Sequence, residues 1–245
     1  MFLSKKLSGT AFFQKEDCNM KYRNITPAKF ISRQNRFVAR VEINGRTETV
    51  HVKNTGRCKE LLLPESDVIL DKSDNPNRKT KYDLIAVYKA NLGWVNIDSQ
   101  APNQVVKELL ENRPAPFQDA ELLKPEYTYG KSRVDFYMEC PERKILMEVK
   151  GCTLEIDGIG YFPDAPTERG IKHLRELKSA AENGYECYIA FVIAMPDVRR
   201  VLPNMITHPE FGRALAEATA AGVKVLYMIC NVKPDSLSVT ECIEA

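Results

Sequence analysis

Residues 187–194 (CYIAFVIA) run for eight positions without a charge, and residues 223–230 (VKVLYMIC) repeat the pattern with one break at Lys224. A strand with no polar alternation has to be covered on both faces. Neither run approaches the roughly 18 apolar residues of a membrane span. Helical periodicity flanks them. Ile171, Leu174, Leu177 and Ala181 form one stripe that Gly184 ends, and 211–221 forms a second helix stopped by Gly222. Upstream, 127–129, 133–139 and 144–152 read as strands. The order β-β-β-α-β-α-β predicts an α/β sheet with buried central strands.

The first half has a different texture. Phe37, Val38, Val41 and Ile43 lead into Asn44-Gly45, a strong short hairpin signal, and 47–52 alternates after it. A break follows at Asn54, Thr55, Gly56 and Arg57, and 61–63 ends at Pro64. Short strands are expected at 68–70, 84–90 and 94–97, with a polar, basic loop at 73–81. About five short strands within roughly 75 residues predict a small β-barrel, with the OB-fold a natural candidate. The texture changes at 98–103. Residues 104–110 (QVVKELL) read as a helix with Asn103 as N-cap, and 112–119 as a proline-containing loop. The expected division is a tail over 1–21, a barrel over 22–100 and an α/β domain over 101–245. Patterned sequence begins just after Met20, which is itself a candidate start. The first twenty residues show neither a long apolar stretch nor a small-residue cleavage site, so no secretory signal is expected.

Residues 1–100 carry 18 Lys and Arg against 11 Asp and Glu, giving +7; residues 101–245 carry 17 against 22, giving −5. A basic first half suits phosphate backbones. A hydrophobic content of 44% excludes a disordered chain. Seven cysteines without a CxxC pair argue against a zinc site or a disulfide framework and suit a reducing cytoplasm, the expected location. No membrane partner is expected, and a homodimer is one assembly open to the chain.

The chemistry centres on Asp135, Glu148 and Lys150. Glu148 and Lys150 are two apart in a strand and share a face. A symmetric hairpin about 140–143 pairs residues whose numbers sum to 283, which sets Asp135 opposite Glu148 on that face. Two like charges about 4 Å apart cost on the order of 4 kcal/mol at an effective dielectric of 20. A hard divalent ion, Mg²⁺ or Mn²⁺, would relieve that conflict, with the Val149 carbonyl as a further ligand. Lys150 beside it could orient or deprotonate water, or stabilise a charged transition state. A solvated surface hairpin in which Lys150 pairs with one acid fits the same letters. Arg169, His173 and Glu176 share a helix face after an N-cap at Asp164 or Thr167; they could face a phosphate or metal shell, or solvent.

These motifs resemble the sugar fermentation stimulation protein family of bacteria and archaea. The matching stretches are 54–56 (NTG), 73–84 (SDNPNRKTKYDL), 95–103 (VNIDSQAPN), 129–136 (YGKSRVDF), 148–154 (EVKGCTL) and 160–177 (GYFPDAPTERGIKHLREL). The resemblance covers most of 22–235. It implies an N-terminal OB-fold, a PD-(D/E)xK restriction-endonuclease-like α/β domain, DNA binding, and a link to regulation of sugar (maltose) metabolism. It carries the first acid onto Asp135, the E-x-K onto Glu148 and Lys150, and a further acidic candidate onto Glu126. Val134 stands where the motif's name puts proline.

The expected DNA contacts are Arg33, Arg36, Arg40, Arg57, Lys59, Arg78, Lys79 and Lys81, with Phe37 and Tyr82 nearby and Trp94 read as core. With no base-reading helix in sight, contacts mainly to the DNA backbone are expected. Two readings stay open: a Mg²⁺-dependent nuclease, and a DNA-binding regulator that retains a nuclease fold without turnover. A small-molecule enzyme finds no GxGxxG or GKS/T loop to support it.

Overall fold

The computed structural model describes residues 20–54, 56–130 and 132–245. A two-residue strand, β1 (Met20–Lys21), precedes the barrel. The barrel is built from β2 (Ile25–Arg33), β3 (Val38–Ile43), β4 (Arg46–Val52), β5 (Asp67–Lys72), β6 (Tyr82–Lys89) and β7 (Gly93–Asn96). Its sheet runs β4-β3-β2-β5-β6-β7, and a parallel pairing of β4 with β6 (His51↔Asp83, Val52↔Leu84) closes five of the strands. Asn44 and Gly45 both take positive φ, 50° and 75°, as a tight hairpin requires. Alternating inward residues such as Val41, Val50, Val52, Leu70 and Leu84 are fully buried in the interior.

The second domain starts with α1 (Ala101–Glu111), then β8 (Leu122–Tyr129), β9 (Ser132–Glu139) and β10 (Lys144–Cys152). A small excursion, β11 (Leu154–Ile156) and β12 (Ile159–Phe162), leads to α2 (Glu168–Glu182) and β13 (Glu186–Ile193). Then come β14 (Val201–Pro203), α3 (Pro209–Ala220), β15 (Lys224–Lys233) and β16 (Ser236–Glu244). The main sheet has seven strands in the order β1-β16-β15-β13-β10-β9-β8. Its centre, β10-β13-β15, is parallel and its flanks are antiparallel. The run at 187–194 therefore lies in mid-sheet as expected. One face packs on α1 through Val105, Val106 and Leu109. The other packs on α2 and α3 through Leu174, Leu177 and Phe211, in a cluster continuous with the barrel interior. Truncating Leu174 or Leu177 to Ala would cost about 2–5 kcal/mol.

Thr167 is the α2 N-cap, its hydroxyl accepting from Gly170 N at 3.0 Å. The six described cysteines are free and buried. Among the described residues no helix is long and apolar enough to cross a membrane. Four sequence expectations change. Residues 20–21 are not tail: β1 adds to the edge of β16. Asn103 is not an N-cap, because α1 begins at Ala101, with Gln100 in the N-cap position making no side-chain cap bond and Pro102 in the first turn. Trp94 is only partly buried, on the barrel's outside, edge-on to Tyr88. The short strands β11, β12 and β14 form a separate three-stranded sheet that the polar 154–162 stretch did not announce.

Candidate functional site

Glu148 is 2% exposed on the α2 side of β10, and Lys150, two residues on, shares its face. Lys150 Nζ and His173 Nδ1 both reach the same oxygen, Glu148 Oε1. A carboxylate can only accept, so Nδ1 of His173 carries the proton. Its Nε2 then accepts from Arg169 Nε at 3.3 Å. On that helix face His173 is turned inward, while Arg169 stays exposed behind it. The second oxygen, Glu148 Oε2, is buried with no hydrogen-bond partner. Burial alone would raise the Glu148 carboxyl; His173 and Lys150 outweigh it and hold it below its usual value. Glu176 stands further along α2, its Oε1 bonded to Ser132.

The β9–β10 ladder keeps the expected sum of 283 in all four of its pairs, from Lys144↔Glu139 to Met147↔Phe136. It stops one pair short of Glu148. Asp135 does not form the expected cross-strand pair there. Its carboxylate takes the place of the next backbone acceptor: Oδ2 accepts from Val149 N at 2.7 Å and Oδ1 from Asn103 Nδ2 at 2.8 Å. In an extended strand a residue's N–H and C=O point the same way. The Val149 carbonyl therefore also points to the Asp135 side, past the end of the ladder. Burial and the nearby Glu148 charge push the Asp135 carboxyl upward, against the pull of Val149 N, Lys150 and Asn103. Among the described residues no group of three or more His, Cys, Asp or Glu is placed to hold a metal. Asp135 lies close enough to Glu148 to feel its charge, and its own two oxygens accept from Val149 N and Asn103. Glu126 lies outside this arrangement. Its φ is +52°, its side chain is exposed, and it pairs with Arg133 at 3.3 Å.

A cleft of about 730 Å³ opens between the two domains; Asp135, Glu148, Lys150 and His173 are not in its lining, but chain neighbours of the site are. Pro102 and Gly151, next in sequence to Asn103 and Lys150, form part of its wall. Ala194, just past the end of β13, lines it too, so it sits at the carboxyl ends of parallel strands, a common ligand position in α/β sheets. Gly151 must be glycine, because an added Cβ would stand 2.8 Å from Pro102 Cγ. Of the eight predicted DNA-contacting cations, Arg33, Arg36, Arg57 and Lys59 line the cleft. Arg33 is a structural clamp. Its guanidinium donates to the carbonyls of Asn35, Arg36, Asn54, Gly56 and Arg57 at 2.7–3.2 Å, leaving it no donor for a phosphate. Arg78 is likewise occupied, bound bidentately to Asp83 at 2.6 and 2.8 Å. Arg40, Lys79 and Lys81 are exposed and lie outside the cleft.

Two family models match the chain: the SfsA N-terminal OB domain over residues 31–97, and the sugar fermentation stimulation protein RE domain over 100–236. The chain belongs to the sugar fermentation stimulation protein family. A homologue from Desulfitobacterium hafniense is 53% identical over 218 residues, covering 89% of this chain and 94% of that one. A homologue from Clostridium beijerinckii is 50% identical over 225 residues, covering 92% and 99%. A solved structure of Pyrococcus furiosus SfsA in complex with Ca²⁺ superposes with a TM-score of 0.77 at 28% identity, covering 92% of this chain and 95% of that one.

Within this family fold, sequence reasoning missed two parts of the site. Asn103 holds Asp135, and the signal that could have found it was Pro102, which marks a first helical turn and moves the cap upstream. The depth of His173 was the other. It lies one residue before Leu174 of the apolar stripe, close enough to turn inward.

Proposed function

We propose that this chain is a DNA-binding protein with a divalent-cation-dependent phosphodiester-hydrolysing centre at Asp135, Glu148 and Lys150. The observation that carries the reading is Glu148 Oε2, a carboxylate oxygen buried without a partner. Leaving such an atom unsatisfied costs about 1–3 kcal/mol or more, which a ligand would recover. Asp135, pushed upward by burial and by its acidic neighbour, and the Val149 carbonyl aimed past the ladder complete a set of hard oxygen donors. Mg²⁺ or Mn²⁺ suits such donors, and the Ca²⁺ in the Pyrococcus furiosus relative is an ion of the same hard class. When bound, the ion would supply Lewis acidity toward a phosphate oxygen and a nucleophile at neutral pH.

The chain's own residues do the positioning. Val149 N and Asn103 hold the Asp135 carboxylate by one oxygen each. His173, backed by Arg169, fixes the orientation of Glu148. Lys150 places its ammonium at the site with 15% of its side chain exposed, where it can stabilise charge developing on a phosphate.

A second reading, a DNA-binding regulator of sugar metabolism without turnover, has an observation of its own. Glu148 Oε1 already meets Lys150 and His173, so its charge is compensated within the chain. Incubating the full chain with single- and double-stranded DNA and RNA in Mg²⁺, Mn²⁺ or EDTA separates the two. Cutting that EDTA and Lys150→Ala abolish, with binding retained, supports hydrolysis. Binding that is indifferent to Asp135→Ala, with no cutting in any metal, establishes the regulator.

A further inference from the structure

We infer that the cleft between the barrel and the second domain receives an unpaired nucleic-acid strand, and that it, rather than the barrel's outer surface, is the nucleic-acid-binding face. This deepens the reading above and rests on its nucleic-acid half. The first support is electrostatic. Arg36, Arg57 and Lys59 line the cleft, are exposed, and make no ion pair among the described residues. Of the acids in the lining, Asp98 is paired with Lys53, Oδ2 lying 3.2 Å from Nζ, and Asp164, which accepts from Cys58 N at 3.3 Å, is outnumbered by these cations. The free charge of the cleft is therefore positive. The Arg33 clamp bonds the backbone carbonyls of Arg36 and Arg57, so the chain that carries these two cations is fixed before any ligand arrives.

The second support is depth. Glu148 is almost wholly buried, and Lys150, 15% exposed, stands one residue from Gly151 in the cleft wall. A stacked duplex is a stiff rod, with a persistence length of about 150 bp, and carries its phosphates on a convex outside. Bringing one of them into a recess between two domains requires a strand free to bend away from its complement. The third support is Phe37, 52% exposed and next in sequence to Arg36 of the lining. An exposed aromatic beside cations is the stacking platform of sequence-tolerant single-strand binders.

Fluorescence anisotropy in EDTA, with a labelled DNA strand of about 20 nucleotides and a blunt duplex of the same length, tests this on the full chain. The strand should bind about tenfold or more tighter than the duplex. Reversing the cleft charges together (Arg36→Glu, Arg57→Glu, Lys59→Glu) should weaken strand binding about tenfold or more and flatten its log–log salt slope by about 2. Lys79→Glu with Lys81→Glu should stay within about twofold, and Phe37→Ala should weaken the strand but not the duplex. All these side chains are exposed, and an unchanged Tm confirms that each variant folds. Duplex binding as tight as strand binding, or an equal loss in the Lys79/Lys81 variant, overturns the inference and leaves the nucleic-acid reading standing. Failure to bind either polymer removes both.

Discussion

Two of the buried acids, Asp83 in the first domain and Glu148 in the second, are finished differently. In the barrel, Asp83 is 3% exposed, with both oxygens engaged: Oδ1 by Arg78 at 2.6 Å and His51 at 2.8 Å, Oδ2 by Arg78 at 2.8 Å, with Lys53 at 3.6 Å. Burial would raise its carboxyl, but these partners reverse the effect and hold it below its usual value. In the second domain Glu148 is equally buried, yet both of its partners crowd one oxygen and the other has none. Its neighbour Asp135 is pushed the opposite way from Asp83. A closed network of donors reads as a clasp. A network left open on one oxygen, beside a second acid and a cleft, reads as a place for something the chain does not itself provide.

That contrast can be broken by substitution. The largest effect is expected from Lys150→Ala, which should lower phosphodiester cleavage by about 10²–10³-fold in a single-turnover assay while strand binding holds. Next comes Asp83→Ala, which strands partly buried cations and should cost about 2–4 kcal/mol in a urea melt with no specific loss of cutting per folded molecule. If Asp83→Ala left stability unchanged, the clasp reading of the barrel would fail. Asn103→Ala should weaken Mn²⁺ affinity by about 10–100-fold in calorimetry, because it frees one side of Asp135 without removing a ligand.

The two acids should also differ in sign with pH. Asp83 sits below its unfolded value of about 3.9, so its stabilisation is present above that pH and is lost as pH falls through the folded value. The gap between wild type and Asp83→Asn should therefore close on acidification. Asp135 sits above its unfolded value, so its contribution favours folding below that value and disappears as pH rises through the folded one. Asp135→Asn should accordingly raise the neutral-pH melting temperature while ending metal binding; a lower melting temperature would contradict the assignment. The smallest effect belongs to Glu126→Gln. This exposed ion pair with Arg133 should be worth less than about 1 kcal/mol and leave activity unaltered.

What the amino-acid order disclosed was governed by local chemistry. Asn44-Gly45 announced its hairpin because positive φ at two successive positions is a local demand. Glu148 and Lys150 were placed on one face by strand alternation, and the hairpin rule held through all four ladder pairs. What it hid depends on distant partners. The ladder's end before Glu148 follows from Asp135 bonding Val149 N, a choice made with Asn103 from another element. Arg33 and Arg78 look like phosphate ligands by composition, but carbonyls and an acid elsewhere in the fold occupy them. His173 was legible as a helix-face residue, though not as one facing Glu148.

The pairing of Met20 with Leu237 has a consequence for how the molecule is made. Among the described residues, the earliest to be synthesised lie against β16, so the sheet's rim closes only once that strand has left the ribosome. The barrel can form well before then. It is also secured at both of its ends to a single sheet, which restricts swinging of one body against the other, so the gap between them should keep its width whether or not anything is threaded through it.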